Sequence, residues 1–348
     1  MNKHHKSARY LTTGFSALAI LTMAIPASAQ QCQPMLENKR FTLIVPYNPG
    51  GGYDGYARVF ASQFEASTDT VMRVRNMPGA GTMIGINAVI EAGPSDLVLG
   101  LFTPNVLLND LILGRDSPEM SSLVFLGSLH TDTTIWATRK DNPVVFESPE
   151  PRLFALANNT DFIRVLLPGY ALGWNISLIR GYNGSTEGMF ALLRGDVDFF
   201  FSGSISLTNQ IRSIDGLNAF VSLTEGPNPL FPEIDYLAGA GGVVEQLISE
   251  MDVEQQRERR EIARLSVELS KTHRAIAISS TRDPELVDCL LTAVEATAFS
   301  EELRATAAVQ NLVIEPKNGA VFQEEMDRTK ALIERNWELL QDLVARPR

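Results

Sequence analysis

Histidine and cysteine are scarce in this chain: its 348 residues include four histidines and two cysteines. His4 and His5 fall in the first ten residues, which leaves His130 and His273 for any later site. No His/Cys cluster has zinc spacing, and no G-x-S-x-G elbow presents a serine nucleophile. A Ser-His-Asp triad would need one of the two remaining histidines in a cleft, and a catalytic cysteine lacks a nearby histidine to activate it. Asp196 and Asp198 share one face of an expected strand and resemble an acid–base or metal pair, but turn and strand-start roles explain them more simply. Positive charge is also short, with 30 Lys and Arg against 41 Asp and Glu and a net charge of −11. That argues against sequence-independent nucleic-acid binding and against attraction to anionic membrane surfaces. A Gly-Lys-Ser/Thr P-loop is absent, and Gly79-x-Gly81-x-x-x-Gly85 has the wrong last spacing for a dinucleotide fingerprint. These gaps leave an expectation of no enzyme, no metal and no cofactor.

What is present is an ordinary globular composition, 45% apolar and 20% charged, long enough for two domains. Residues 1–29 read as a cleaved secretory signal. Lys3, Lys6 and Arg9 form a basic start, Gly14 to Ile25 an apolar run, and Ala27-Ser28-Ala29 a small-residue cleavage pattern. The run is too short for a spanning helix of roughly 20 residues, and no later segment approaches one, so direct membrane insertion is not expected. Removing the signal leaves about 319 residues with a charge of about −14. In an oxidising compartment Cys32 and Cys289 can pair, or remain as two buried thiols. A bond between them would be worth on the order of 5 kcal/mol in the chain-entropy model.

The pattern along the chain alternates strand and helix, which argues for an α/β fold with parallel sheets. Strands are expected at 41–45, 71–76, 97–101, 123–126, 134–138, 163–167, 176–180, 197–201, 219–223, 275–279 and 312–315. Helices are expected at 186–194 and 206–212, across 243–271, after Asp283-Pro284 and Ser300-Glu301, and from about 321 to 344. Gly50-Gly51-Gly52 follows the first strand and Gly79-Ala80-Gly81 the second. At the carboxyl ends of strands in an open α/β sheet, such loops turn backbone N–H groups toward one anion.

Val45-Pro46-Tyr47-Asn48-Pro49-Gly50-Gly51-Gly52-Tyr53-Asp54, followed by Asn76-Met77-Pro78-Gly79-Ala80-Gly81-Thr82-Met83-Ile84-Gly85, resembles the substrate-binding receptors of tripartite tricarboxylate transporters. These typically read V-P-F-x-P-G-G-x-x-D, then N-x-P-G-A-G-G-x-x-G. Tyr182-Asn183-Gly184-Ser185 and Leu193-Arg194-Gly195-Asp196-Val197-Asp198 extend the likeness, and Ser279-Ser280-Thr281-Arg282-Asp283-Pro284 is a weaker match.

The resemblance implies a periplasmic binding protein of type II, with two α/β lobes and a ligand cleft between them. Lobe 1 would comprise 30–132 and 272–348, lobe 2 would comprise 133–242, and 243–271 would form a charged helical crossover. The function implied is capture of a small carboxylate (a di- or tricarboxylate, an acidic amino acid or an aromatic acid) by a monomer, for delivery to membrane subunits of a tripartite transporter. Backbone amides and hydroxyls would hold the carboxylate, with little use of Arg or Lys. Carried over by motif, the ligand residues are Tyr47, Asn48, Gly50, Gly51, Gly52 and Asp54, then Gly79, Ala80, Gly81 and Thr82, with Thr103 opening the third loop. Asp54 fits a helix-capping role better than contact with an anion. Ser202 and Ser204 would grip the far end of the ligand or cap a helix. Three features depart from the family: Gly169–Trp174 leaves little room for a helix, 243–271 is long and charged, and Thr82 replaces a glycine. Tyr170 or Trp174 would line a remodelled cleft or pack in the core. The alternatives to a receptor are a signalling or interaction module on the same fold and a periplasmic hydrolase.

Overall fold

The computed structural model describes residues 32, 34–141, 150–156, 160–182 and 184–346. The expected signal at 1–29, and Asn183 of the Tyr-Asn-Gly-Ser motif, lie outside the described residues. No helix among those described is long and apolar enough to cross a membrane.

Twelve strands, β1 to β12, form three sheets among the described residues. The first, in the order β12-β4-β11-β3-β1-β2, joins Lys317–Asn318, Leu123–Asp132, Thr272–Ser279, Val98–Phe102, Arg40–Val45 and Val71–Asn76. β1 pairs in parallel with β2 and β3, while β11 runs antiparallel between β3 and β4. β1 and β3 read as nearly unbroken apolar sequence because helices cover both faces, whereas β2, at the sheet edge, carries Arg73, Arg75 and Asn76. Helix Gly52–Thr68 puts Tyr56, Phe60 and Phe64 into that core, and helix Met83–Ile90 adds Ile86 and Val89. The second sheet, β10-β9-β5-β8, joins Asp235–Tyr236, Leu217–Ser222, Thr134–Arg139 and Phe200–Gly203. A parallel pair, β6 Arg152–Ala155 and β7 Ile176–Ile179, completes the set. The first sheet therefore draws its strands from 40–132 and 272–318, and the second from 134–236.

The strand expected at 163–167 is a helix. Phe162–Leu166 forms a widened π-helical turn that runs directly into helix Leu167–Leu172. The Asn109 side chain holds its start, accepting the Phe162 and Ile163 amides at 3.0 and 3.1 Å. Phe162, Ile163, Val165, Leu166 and Leu167 are all in the second core. A segment buried on every side shows no polar face, so its periodicity does not separate strand from helix. The helix that 169–174 left little room for is thus built from the preceding run, and β6 supplies a strand that the sequence reading lacked. The strand expected at 312–315 is also absent, and a two-residue strand at Lys317–Asn318 pairs with β4 instead. The charged crossover divides into Val243–Leu247 and Val253–Leu269, the latter capped by Asp252, whose carboxylate accepts the Gln255 amide at 2.9 Å. The last expected helix likewise divides at Asn336 into Gly319–Arg335 and Trp337–Ala345.

The two larger of the three apolar cores do not follow the division between sheets. The second core also takes Leu108 and Ile112 from helix Asn105–Ile112, and Leu340 and Leu343 from the last helix. Beneath it, buried Asp161 accepts from Asn109 at 3.0 Å and pairs with Arg115 at 2.8 Å and Arg180 at 2.6 Å. A disulfide between Cys32 and Cys289 ties the start of the described chain to helix Pro284–Ala298.

Gly85 lets its helix pack directly against Pro46, in the loop after β1. A Cβ there would sit 2.7 Å from Pro46 Cβ and 2.9 Å from the Met77 carbonyl. Gly85→Ala is therefore expected to lower stability by about 1–3 kcal/mol through overpacking, read as a drop in denaturation midpoint at unchanged m-value. An unchanged midpoint would show that the helix shifts to accommodate the methyl group.

Candidate functional site

The chain passes between the sheets at Thr133, between β4 and β5, and at Ser270–Lys271, between helix Val253–Leu269 and β11. The two crossings are tied together, since Thr134 Oγ1 donates to the Ser270 carbonyl at 2.6 Å. Arg164 bridges them from the π-helical turn, with Nη2 on Thr134 Oγ1 at 2.7 Å and on Thr272 Oγ1 at 2.5 Å. Beside this junction lies a cavity between the sheets, with about 60 Å³ in which a water centre can sit. That is room for a few waters, at roughly 10–15 Å³ each.

The loop after β1 forms one wall, with Tyr47, Asn48, Gly51, Gly52 and Tyr53. Asp54 fixes its shape without facing the cavity: it accepts the Gly50 amide at 2.9 Å, both arms of Arg58 at 2.9 Å, and Asn76 Nδ2 at 3.0 Å. Burial opposes the Asp54 charge, but Arg58, Gly50 and Asn76 outweigh it and hold its pKa below the usual carboxylate range. Gly50 adopts φ +79°, a turn that favours glycine. At Gly52 a Cβ would lie 2.5 Å from Ser206 Oγ and 3.6 Å from Ser206 Cβ, so a side chain there would turn the Ser206 hydroxyl away from this wall of the cavity.

The facing wall comes from the second sheet: Phe201 and Ser202 of β8, Ser206, and the first turn of helix Ser185–Arg194 with Glu187. Asn48 Nδ2 reaches across to donate to Glu187 Oε1 at 2.6 Å. Ser204 does not line the cavity. Its amide and hydroxyl both donate to Asp132 Oδ1, while the Thr133 and Ile205 amides donate to the same carboxylate at 2.9 and 3.2 Å. Asp132 thus caps helix Ser204–Ser213 from the end of β4.

Two guanidinium groups line the cavity at the junction, and both are buried, Arg164 at 4% and Arg274 at 1% exposure. Arg164 lies 4.5 Å from the centre of the Phe201 ring, and Arg274 lies 4.3 Å from that of Tyr53, both favourable cation–π placements. Burial pulls the Arg164 pKa down to about 10, still cationic at neutral pH. Arg274 is poorly satisfied: Nη2 is 3.7 Å from Asp132, Nη1 is 3.5 Å from the Thr272 carbonyl, and Nε has no partner. The buried Tyr47 hydroxyl in the same cavity also lacks a partner. Burial, and then the neighbouring Tyr53, hold the Tyr47 phenol well above its usual pKa, so it remains a protonated donor. Tyr53 stacks on Tyr47 with ring centres 4.1 Å apart and donates its hydroxyl to the His273 carbonyl at 3.1 Å.

Of the residues singled out by sequence, Tyr47, Asn48, Gly51, Gly52 and Ser202 line this cavity, while Gly50, Asp54 and Ser204 stand behind it. The second glycine loop is elsewhere. Gly79, Ala80, Gly81 and Thr82 have φ of +124°, +46°, +62° and +91°, and none lines the cavity. Thr103 is buried, donating to Asn105 Oδ1 at 2.8 Å and accepting the His273 amide at 3.4 Å. Trp174 belongs to an aromatic core with Trp136 and Phe199, and Tyr170 packs against the same core. No group of three or more His, Cys, Asp or Glu among the described residues is arranged to hold a metal ion.

No protein-family model matches the sequence. A protein of Pseudomonas sp. (strain P51), described as the UPF0065 protein in the tcbD-tcbE intergenic region, is 25% identical over 242 residues, 65% of this chain and 71% of its own. Among solved structures, the periplasmic binding protein BugD superposes with a TM-score of 0.68 at 18% identity, over 88% of this chain and 97% of BugD. The chain has the fold of the TctC-type periplasmic solute-binding proteins. R. palustris Rpa4515, solved with adipate, shares that fold at a TM-score of 0.67 and 15% identity, over 88% of this chain and 97% of its own.

Within this fold, Arg164, Arg274, Tyr53, Ser206, Thr272 and Glu187 line the cleft without having been singled out by sequence. The arginines did carry a signal. Arg164 interrupts the apolar run Phe162–Leu167, and Arg274 sits in a strand whose eight residues are all buried. Arginine is almost never fully buried unless it is paired.

Proposed function

We propose that the protein is a periplasmic receptor that captures a small carboxylate in the cleft between its sheets and hands it to a membrane transporter. The observation that carries this reading is Arg274, a buried guanidinium at the cavity with an unpartnered Nε and only long contacts elsewhere. A buried cation so poorly satisfied is costly unless an anion completes it. A carboxylate fits the planar fork of a guanidinium, and the Tyr47 hydroxyl adds a third donor. The adipate in Rpa4515 is consistent with this choice of ligand class. In a protein of net charge −11 the global field opposes an anion, so attraction must be local, and two buried arginines supply it. The leader-like sequence at 1–29 supports export, and the fold's binding-protein relatives support a receptor over a catalyst.

A thermal-shift screen of small mono-, di- and tricarboxylates tests the reading. A ligand at 100 times its dissociation constant is expected to add about 2.7 kcal/mol of stability. No stabilisation by any acid would overturn the receptor reading and favour an interaction module, whereas chemical turnover of a screened acid would favour an enzyme.

A further inference from the structure

The two ends of the cleft differ in polarity. At the buried end, Arg164, Arg274 and the Tyr47 hydroxyl present donors, and guanidinium groups have no acceptor to offer. At the rim, half-buried Glu187 presents only acceptors when ionised. Asn48 gives one N–H of its amide to Glu187, which places its carbonyl oxygen beside the Glu187 carboxylate as a further acceptor and leaves one N–H to spare. The first turn of helix Ser185–Arg194 would otherwise attract an anion through its exposed amides, but Glu187 occupies that turn and supplies the negative charge itself. With little free space between the ends, a ligand meets both at once.

Resting on the carboxylate-receptor reading above, we infer that the ligand is a compact monocarboxylate with a donor group, an ammonium or a hydroxyl, at its other end. The carboxylate meets Arg164 and Arg274, and the donor meets Glu187 and Asn48. A dicarboxylate of similar length would bring its second carboxylate against Glu187, where like charges disfavour the ionised pair. Glu187 is then the specificity-determining residue, which selects against a second negative charge.

Calorimetric titration with matched acids of three to six carbons tests this: the α,ω-dicarboxylate, the α-amino acid, the ω-amino acid and the ω-hydroxy acid of each length. The wild-type protein is expected to bind its best amino or hydroxy acid at least tenfold more tightly than any dicarboxylate. Glu187→Gln keeps the shape and the acceptor for Asn48 but removes the charge. It is expected to weaken amino-acid binding at least tenfold, weaken hydroxy-acid binding less, and strengthen dicarboxylate binding. A wild-type preference for dicarboxylates, or a preference that Glu187→Gln leaves unchanged, would overturn the inference while leaving the carboxylate receptor standing. Failure of every acid to bind would remove both.

Discussion

Arg274→Met is expected to abolish carboxylate binding while leaving the protein folded. Truncating one partner of a buried, hydrogen-bonded charge pair costs about 2–5 kcal/mol of binding energy, or roughly thirty- to several-thousand-fold in affinity. The fold is expected to tolerate the change because little of it leans on this guanidinium. Its polar contacts are 3.5 Å to the Thr272 carbonyl and 3.7 Å to Asp132. Asp132 keeps the Thr133, Ser204 and Ile205 amides and the Ser204 hydroxyl. Methionine fills a similar volume, and removing a buried charge relieves desolvation that offsets the lost contact with the Tyr53 ring, worth about 0.5–2 kcal/mol. Arg164→Met should behave differently. It also weakens binding, but it unties Thr134 from Thr272 across both crossings, so its melting temperature should fall as well. Titration of the best ligand from the screen, with melting curves of both variants, checks the pair. Affinity of Arg274→Met within threefold of wild type would sink the proposal that this guanidinium grips the ligand.

The parts of the cleft that were legible in sequence are those whose role is local. A glycine-rich turn after a short apolar strand marks the carboxyl edge of a parallel sheet, so Tyr47, Asn48, Gly51 and Gly52 could be placed from ten consecutive residues. The helix cap expected at Asp54 is instead a loop brace: the N-cap position is Gly51, with no side-chain bond, and Asp54 accepts the amide of Gly50 ahead of the helix. The second loop is also glycine-rich but takes a different path: four successive positive φ values curl Gly79 to Thr82 onto itself, and the Thr82 amide returns to the Gly79 carbonyl at 2.9 Å. Composition does not encode that path. The arginines were hidden for another reason. Arg164 and Arg274 lie 110 positions apart and meet only because β5 and β11 leave the two crossings side by side. Taking 163–167 as a strand also hid that Arg164 points inward from a helix. The expectation that backbone amides and hydroxyls would hold the carboxylate, with little use of Arg or Lys, followed from the family pattern. The cleft of this chain adds two cations that the pattern lacks.

His273 should make the protein acid-sensitive well above the range in which its carboxylates titrate. The side chain is 2% exposed, with its ring edge-on to Phe322 at 5.2 Å and Nδ1 3.2 Å from Thr131 Oγ1. Burial first, then the nearby cations Lys317, Lys271, Arg274 and Arg164, push its pKa down to about 3. In the unfolded chain a histidine titrates near 6.5. Between these values the unfolded state binds a proton that the native state refuses, so unfolding becomes easier as pH falls. The stability is fully present above about pH 6.5 and is lost toward pH 3, at up to about 1.4 kcal/mol per pH unit. His130, also lowered by burial, acts with the same sign. Asp161 acts later: burial opposes its charge, but Arg115 and Arg180 hold its pKa at about 2, so its contribution fades only as pH falls below about 4. From pH 6.5 to 4.5 the loss is therefore expected to be mainly the histidines', with His273 supplying about 2–3 kcal/mol. His273→Asn keeps an amide donor for Thr131 and removes the titration, so the pH dependence of its unfolding free energy over that interval should be shallower by about one proton. Equal slopes for wild type and variant in urea melts at pH 6.5, 5.5 and 4.5 would show that His273 does not carry this sensitivity. The strand neighbours of His273, Thr272 and Arg274, line the cavity, and its carbonyl accepts the Tyr53 hydroxyl, so the titrating residue sits directly behind the cleft.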